Sequence, residues 1–212
     1  GWLKCCKATS PENAPHKNTE TTTMALIQNA LIIGGGVGGM CAAIQLRKQG
    51  VDVTLVERNP DWAPDGAGIT ISGPTLRALR EVGVLDEVLR LGGHWNAVDV
   101  CGPDGSVKVT VPILPALGAE DLPGAGGIMR PVLADILGHA TQAAGATVRL
   151  GLTFESMLQD EGGVDVAFPD GSSGRYDLVI GADGVHSEVR KLVLPDFPGP
   201  KFSGQGSWRA VV

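Results

Sequence analysis

The chain has 212 residues, of which 43% are hydrophobic and 19% are charged, so it can bury the core of one domain. Its formal net charge is −6 and it has no basic stripe, which argues against a nucleic-acid partner. No apolar stretch approaches the length of a membrane span, and the four cysteines have neither metal-binding nor disulfide spacing. We therefore expect a cytoplasmic protein with no membrane association and no metal site, and the oligomeric state stays open.

The N-terminal segment differs in composition from the rest of the chain. Residues 1–23 are polar and threonine-rich and show no hydrophobic periodicity, whereas an apolar run begins soon after Met24. We expect residues 1–23 to be a disordered extension, with the folded part beginning at Met24.

The first folded elements form a βαβ unit. The apolar run 30–33 predicts a strand buried on both faces, and the glycine-rich turn after it leads into a helix over 40–49. That helix ends with two cations and Gly50, as helix C-termini prefer. Residues 51–56 predict a second strand, which completes the unit.

The middle of the chain changes period. Pro74 begins a helical pattern with Ser72 just before it, and Gly83 divides the pattern into two helices. Alternating valines over 98–111 predict a hairpin with one buried face. The Pro- and Gly-rich residues 112–127 predict a loop.

The second half returns the chain to the sheet. A helix is predicted from Pro131 to Gly145, followed by a three-stranded meander over 147–150, 154–159 and 164–168, in which the last strand alternates apolar and polar residues. Residues 176–180 predict a long buried strand that runs into Gly181.

A glycine pattern, Gly34-x-Gly36-x-x-Gly39, lies between the first predicted strand and the first predicted helix. In dinucleotide-binding folds these glycines allow a tight turn, a close approach of backbone to a pyrophosphate, and close packing of helix on strand. Glu57 ends the second strand, where a carboxylate can accept both ribose hydroxyls of an adenosine and would repel a 2′-phosphate. The pattern predicts an ADP-containing dinucleotide and leaves its identity open.

A second pattern, Asp183-Gly184-x-x-Ser187-x-x-Arg190, follows the last predicted strand. Asp183 would lie at the carboxyl end of the sheet, the usual ligand position in such folds. We expect the Arg190 guanidinium to orient the Asp183 carboxylate by a charge-assisted hydrogen bond. The alternative interpretation is a helix cap followed by a surface arginine.

The two patterns in this order resemble the flavoprotein monooxygenases typified by p-hydroxybenzoate and salicylate hydroxylases. The resemblance also takes in Glu57-Arg58, the 66–69 segment Gly-Ala-Gly-Ile, and Arg130 before a helix. It implies that the glycine turn holds the FAD pyrophosphate, Glu57 the adenosine ribose, and Arg130 the flavin side, with adenine passing near Leu152. Asp183 would serve both FAD and the pyridine nucleotide. The implied cofactor-binding residues are Gly34, Gly36, Val37, Gly38, Gly39, Glu57, Arg58, Gly68, Arg130, Leu152 and Asp183.

The resemblance also implies an α/β fold: a Rossmann-like FAD-binding domain with a parallel sheet, a β-meander and a small inserted β-rich substrate region. We assign 24–70 and 126–200 to the FAD-binding domain, and 71–125 and 201–212 to a partial substrate domain. The chain stops before a downstream Gly-Asp motif of the family, so we expect it to be truncated before the C-terminal part. Arg209 is the candidate for a catalytic residue.

The implied activity is hydroxylation of a small aromatic substrate. NADH or NADPH would reduce FAD, and the reduced flavin would capture O₂ as a C4a-hydroperoxide that delivers one oxygen atom. Three alternatives remain open: another FAD oxidoreductase (an epoxidase, halogenase or isoprenoid reductase), an NAD-dependent dehydrogenase, or an inactive nucleotide-binding fragment.

Overall fold

The computed structural model describes residues 27–64 and 66–206. The predicted extension over 1–23, the end of the chain over 207–212 and the candidate Arg209 lie outside the described residues. The strands are β1 Asn29–Ile33, β2 Asp52–Glu57, β3 Gly68–Ser72, β4 Gly93–Trp95, β5 Ala97–Cys101, β6 Val107–Pro112, β7 Ala125–Met129, β8 Thr147–Leu150, β9 Ser156–Asp160, β10 Gly163–Ala167, β11 Ser173–Tyr176 and β12 Leu178–Gly181. The helices are α1 Val37–Lys48, α2 Gly73–Val82, α3 Leu85–Leu91, α4 Arg130–Ala143 and α5 Glu188–Val193.

A four-stranded parallel sheet in the order β12-β1-β2-β8 is the centre of the fold. β1 lies between two partners, and its last four residues are buried, as the apolar run predicts. α1 crosses from β1 to β2, which confirms the predicted βαβ unit. The carboxyl ends of the parallel strands meet at one edge, where ligands of such sheets usually bind.

Alternate side chains of β1 point into two different cores. Ala30 and Ile32 join the larger core, which contains residues of α1, α2, α3 and α4. Leu31 and Ile33 join the smaller core on the other face, where the antiparallel meander β9-β10-β11 packs through Val166. The predicted meander is therefore wrong in its first strand: residues 147–150 form β8, which pairs parallel with β2, and β11 is the third strand of the meander. The α/β fold class is therefore confirmed: helices cover one face of the parallel sheet and the meander covers the other.

The helix boundaries follow the predicted signals. α1 ends at Lys48 with Arg47 in its last turn, and Gly50 has a φ of 82° just beyond the end. Ser72 is the N-cap of α2, and Gly83, with a φ of 93°, separates α2 from α3. The sequence therefore predicted these ends correctly because caps and breakers act locally.

The loop predicted over 112–127 is wrong at its end. Residues from Ala125 onward form β7, which pairs on both sides with β3 and β4. Gly126 and Gly127 have low strand propensity, but a Cβ on Gly127 would lie 3.2 Å from the Trp95 ring, so close packing favours glycine there. Tertiary pairing therefore outweighs the local preference of this segment.

The predicted hairpin forms as β5 and β6, but its expected buried face is wrong for the described residues. Val98 lies opposite Val111, and Val100 opposite Val109, so the four side chains share one face. They are 46–51% exposed. Alternation shows which side chains share a face, but it does not show what covers that face.

The long strand predicted over 176–180 is also wrong, because the chain breaks at Asp177 into β11 and β12. The Asp177 carboxylate accepts hydrogen bonds from the backbone N–H groups of Gln28 and Asn29, at 2.7 and 3.0 Å. These bonds hold the chain where it leaves the meander and enters the parallel sheet. β12 is only half-buried rather than fully buried.

The segment 71–125 contains two helices as well as strands. Leu76 and Leu79 of α2 and Val88 of α3 are buried in the same core as α1 and α4. The assignment of 71–125 to a separate substrate domain stays a prediction. Among the described residues, no helix combines the length and the apolar character needed to cross a bilayer.

The difference in burial between the parallel sheet and the β5–β6 hairpin leads to a stability prediction. Leu55 on β2 is fully buried, whereas Val109 on β6 is 51% exposed. We expect Leu55→Ala to lower the free energy of unfolding by about 2–5 kcal/mol. Val109→Thr should change it by less than about 0.5 kcal/mol. Urea denaturation of both variants checks this. An equal loss of unfolding free energy in the two variants would contradict the assignment of the core.

Candidate functional site

The turn between β1 and α1 is shaped by contacts that only glycine allows. A Cβ on Gly34 would overlap the backbone oxygen of Ala182, and Gly34 has a φ of 111°. A Cβ on Gly39 would overlap the Gly34 carbonyl oxygen. The two positions therefore bring three backbone segments together: the end of β1, the first turn of α1 and the segment after β12.

Two further glycines of the turn face open space. At Gly36 and Gly38 an added Cβ would meet nothing within 4 Å. Gly36 is the N-cap of α1, which has no side-chain cap and no acidic residue in its first turn. The N-terminus of this helix can therefore accept an anion close to its backbone N–H groups.

Glu57 lies beside this turn, at the end of β2. Its Oε2 accepts a hydrogen bond from the Gly35 N–H at 2.6 Å, and its Oε1 accepts one from the Asn59 N–H at 2.7 Å. The two bonds orient the carboxylate, and each oxygen keeps a further lone pair for a ligand hydroxyl. Glu57 therefore holds the glycine turn and, with the same carboxylate, can accept hydroxyl groups of a ligand.

Asp183 caps the first turn of α5 instead of pairing with Arg190. Its Oδ1 accepts from Ser187 Oγ at 2.5 Å, and its Oδ2 accepts from the N–H groups of Glu188 and Val189 at 2.7 and 3.2 Å. The Arg190 guanidinium donates to the Val185 carbonyl at 2.8 Å. The predicted Arg190–Asp183 contact is therefore wrong: the nearer Ser187 hydroxyl and backbone N–H groups occupy the carboxylate.

These contacts set the charge state of Asp183. Partial burial raises the pKa of its carboxyl, but the Ser187 hydroxyl and the backbone N–H groups lower it by more. The net pKa lies below the ordinary value for aspartate. Asp183 is therefore ionised at neutral pH, at the carboxyl end of the parallel sheet.

A cavity of about 580 Å³, which we call the Asp183 cavity, lies at this edge of the sheet. Its volume is in the range of small-molecule sites. The backbone N–H of Leu152 donates to the Glu57 carbonyl, which holds the segment after β8 against β2. The cavity brings together six of the predicted cofactor-binding residues: Gly34, Gly36, Glu57, Arg58, Leu152 and Asp183.

A second cavity of about 200 Å³, the Trp62 cavity, shares part of its lining with the Asp183 cavity. Gly36 and Glu57 line both cavities. The Trp62 cavity also contains Val37 and Arg130, whose stem lies against Gly66. An extended ligand that crosses Gly36 can therefore reach Asp183 in one direction and Arg130 in the other.

The remaining predicted residues lie elsewhere. Gly68 pairs with Met129 at the start of β3 and lines neither cavity. Gly38 and Gly39 belong to the first turn of α1, and Gly39 is buried where this turn packs on Gly34. Among residues 27–64 and 66–206, no three metal-binding side chains cluster.

Sequence reasoning missed Trp62 and Gly35. The Trp62 Nε1–H donates to the Gly35 carbonyl at 2.8 Å, and Trp62 has a φ of 49°. A turn around Asn59 positions Trp62, since the Asn59 amide donates to the Ala63 carbonyl at 2.9 Å. The Asn-Pro-Asp run is typical of a turn, but no local signal shows that the indole returns to the glycine turn.

Residues 28–212 match the protein family described as FAD binding domain. The chain belongs to this FAD-binding domain family. Membership identifies the dinucleotide as FAD, so the NAD-dependent dehydrogenase alternative loses its support. The glycine turn, the uncapped helix and the Glu57 carboxylate fit an ADP-containing cofactor of this kind.

Relatives of this FAD-binding domain include monooxygenases and hydroxylases. The chain is 34% identical to 3-amino-4-hydroxybenzoate 2-monooxygenase of Streptomyces cremeus, covering 85% of this chain and 45% of that protein. It is 28% identical to the FAD-dependent urate hydroxylase of Klebsiella pneumoniae, covering 86% and 47%. The solved structure of 2-methyl-3-hydroxypyridine-5-carboxylic acid oxygenase in its tetrameric form matches with a TM-score of 0.66 and 27% identity, covering 79% and 42%. The chain thus spans about half the length of the curated relatives it matches.

The Asp183 contacts lead to a prediction of pH dependence. A lowered folded-state pKa stabilises the fold above the unfolded pKa near 4, and this stabilisation is lost as the pH falls through the folded-state value. We expect Asp183→Ala to lower the free energy of unfolding by about 1 kcal/mol at neutral pH. The difference from the unsubstituted protein should shrink below about pH 4. Urea denaturation at several pH values measures this.

Asp196→Ala is the control, because Asp196 is an exposed carboxylate on the segment after α5. The Asp196→Ala substitution should lower the free energy of unfolding only slightly at every pH. A cost for Asp183→Ala that stays constant down to low pH would contradict the role given to the ionised carboxylate.

Proposed function

We propose that this chain is the cofactor-holding part of an FAD-dependent monooxygenase that uses NADH or NADPH and O₂ to hydroxylate a small aromatic substrate. One observation carries the proposal: Gly36 and Glu57 line two cavities, which together contain six more of the predicted contacts. These are Gly34, Arg58, Leu152 and Asp183 in the larger cavity, and Val37 and Arg130 in the smaller. An extended dinucleotide needs this arrangement, with its phosphates over a helix N-terminus and groups of different chemistry at its two ends.

The adenosine half belongs in the larger, Asp183 cavity. Glu57 accepts hydrogen bonds from the ribose hydroxyls, and Arg58 and Leu152 lie where the adenine passes. The pyrophosphate lies over Gly36 and Gly38, where no Cβ obstructs its approach. Arg130, exposed at the start of α4, lies toward the flavin end and supplies a positive charge there.

When bound, the flavin accepts reducing equivalents from NAD(P)H and activates O₂ for transfer of one oxygen atom to an electron-rich ring. The chain's own residues bind and orient the cofactor, and no side-chain nucleophile is required. The relatives of the chain include an aminohydroxybenzoate monooxygenase and a urate hydroxylase, which supports an aromatic substrate. The chain's cysteine usage supports a cytoplasmic setting.

The decisive test is substrate-stimulated oxidation of reduced nicotinamide. The purified protein in its natural length, loaded with FAD, is mixed with NADH or NADPH and with a panel of phenols and amino- or hydroxybenzoates. We expect one or more ring compounds to accelerate nicotinamide oxidation, with a product one oxygen atom heavier. Labelled O₂ should supply that atom, as mass spectrometry would detect.

Control compounds distinguish hydroxylation from other reactions of reduced flavin. The panel includes non-aromatic alkenes and halide ions, because their conversion would identify the reaction as epoxidation or halogenation instead of hydroxylation. FAD binding without stimulation by any of these compounds would contradict the monooxygenase proposal and would support a nucleotide-binding role alone.

A further inference from the structure

The glycine turn is held on both sides of Gly35 by side chains from outside the turn. The Gly35 N–H donates to Glu57 Oε2 at 2.6 Å, and the Gly35 carbonyl accepts from Trp62 Nε1 at 2.8 Å. A Cβ on Gly35 would overlap the indole nitrogen and would lie 3.0 Å from the Glu57 Cβ. Only glycine therefore fits between the carboxylate and the indole.

Trp62 combines an unfavourable backbone conformation with a ring packed against a helix. Its φ of 49° is the one positive value among the non-glycine residues described by the structure. Its ring lies against α4 at Gly138, where an added Cβ would come within 3.6–3.8 Å of the ring carbons. Trp62 thus connects the glycine turn to α4 through a hydrogen bond at one end and a packing contact at the other.

The Gly35 carbonyl matters because it belongs to the same peptide unit as the Gly36 N–H. A trans peptide is planar, so its carbonyl and its N–H point in opposite directions. A donor that fixes the Gly35 carbonyl toward Trp62 therefore fixes the Gly36 N–H away from it. Gly36 is the N-cap of α1 and the position where an added Cβ meets no atom.

We propose that Trp62 is a positioning residue for the cofactor phosphates, which it affects by orienting the Gly35–Gly36 peptide. This inference rests on the proposed position of the FAD pyrophosphate over Gly36. The Trp62 indole then contributes to phosphate binding through the Gly35–Gly36 peptide, while Glu57 orients the preceding peptide. The two side chains together preorganise the turn before the cofactor arrives.

The test compares Trp62→Phe with Trp95→Phe in the protein of natural length. Phenylalanine retains an aromatic ring near Gly138 but has no N–H to donate. Trp95 on β4 is a matched control, because it is half-buried, packs on Gly127 and lines neither cavity. Both variants are compared with the unsubstituted protein at a temperature where circular dichroism shows each to be folded.

We measure dissociation constants for FAD by flavin fluorescence, and for ADP and adenosine by competition. Trp62→Phe should weaken FAD and ADP by about fivefold, the equivalent of roughly 1 kcal/mol. Adenosine, which has no phosphate, should bind Trp62→Phe and the unsubstituted protein equally. Trp95→Phe should bind all three ligands as the unsubstituted protein does.

Three outcomes overturn the proposal, and they are distinguishable. Unchanged FAD and ADP binding by Trp62→Phe would show that the indole does not act on the phosphates. Equal weakening of adenosine and ADP would show a general effect on the fold. Absence of FAD binding in the unsubstituted protein would remove the proposed cofactor site itself and this inference with it.

Discussion

The close approach of three backbone segments at Gly34 is the constraint on which the rest of this structure depends. The end of β1, the first turn of α1 and the segment after β12 meet where a Cβ on Gly34 or Gly39 would overlap backbone oxygen. The parallel pairing of β1 with β12 brings Ala182 to this point from far along the sequence. The glycine turn and the Asp183 segment are therefore parts of one site, although they are separated by most of the chain.

Charge and hydrogen bonding then give the two sides of the site different properties. An uncapped helix N-terminus at Gly36 favours an anion, whereas the Glu57 carboxylate beside it carries a negative charge that would repel an additional phosphate, and its oxygens can accept hydrogen bonds from hydroxyl groups. Asp183 is ionised, and its carboxylate holds the first turn of α5 by accepting hydrogen bonds from two of its backbone N–H groups. The site combines a preformed backbone turn with charged side chains around it, an arrangement that can bind and orient a cofactor that carries its own chemistry.

The sequence predicted the βαβ unit, the helix ends and the family because their signals are local. Gly34 to Glu57 lie within one supersecondary unit, and each helix end has its own breaker or cap. The break at Asp177 could not be predicted, because its partners Gln28 and Asn29 lie almost 150 residues away. The Trp62 contact with Gly35 and the exposure of the β5–β6 valines likewise depend on tertiary neighbours.

Arg190 shows how a plausible local interpretation can fail. Its spacing from Asp183 allowed an ion pair, but Ser187 and two backbone N–H groups are closer to the carboxylate. The alternative of a helix cap was the correct description of this contact. A cap and a ligand position can coexist at Asp183, since the carboxylate lines the larger cavity.

The most direct test of the central claim is FAD affinity after Gly36→Ala, measured by flavin fluorescence titration. Gly93→Ala on β4 is the matched control, because a Cβ meets nothing within 4 Å at either glycine. If the cofactor pyrophosphate lies against Gly36, the Gly36→Ala protein should keep its unfolding temperature and bind FAD about tenfold more weakly or worse. The Gly93→Ala protein should bind FAD normally. Unchanged FAD affinity in Gly36→Ala would contradict the account, because the turn would then not be where the cofactor phosphates bind.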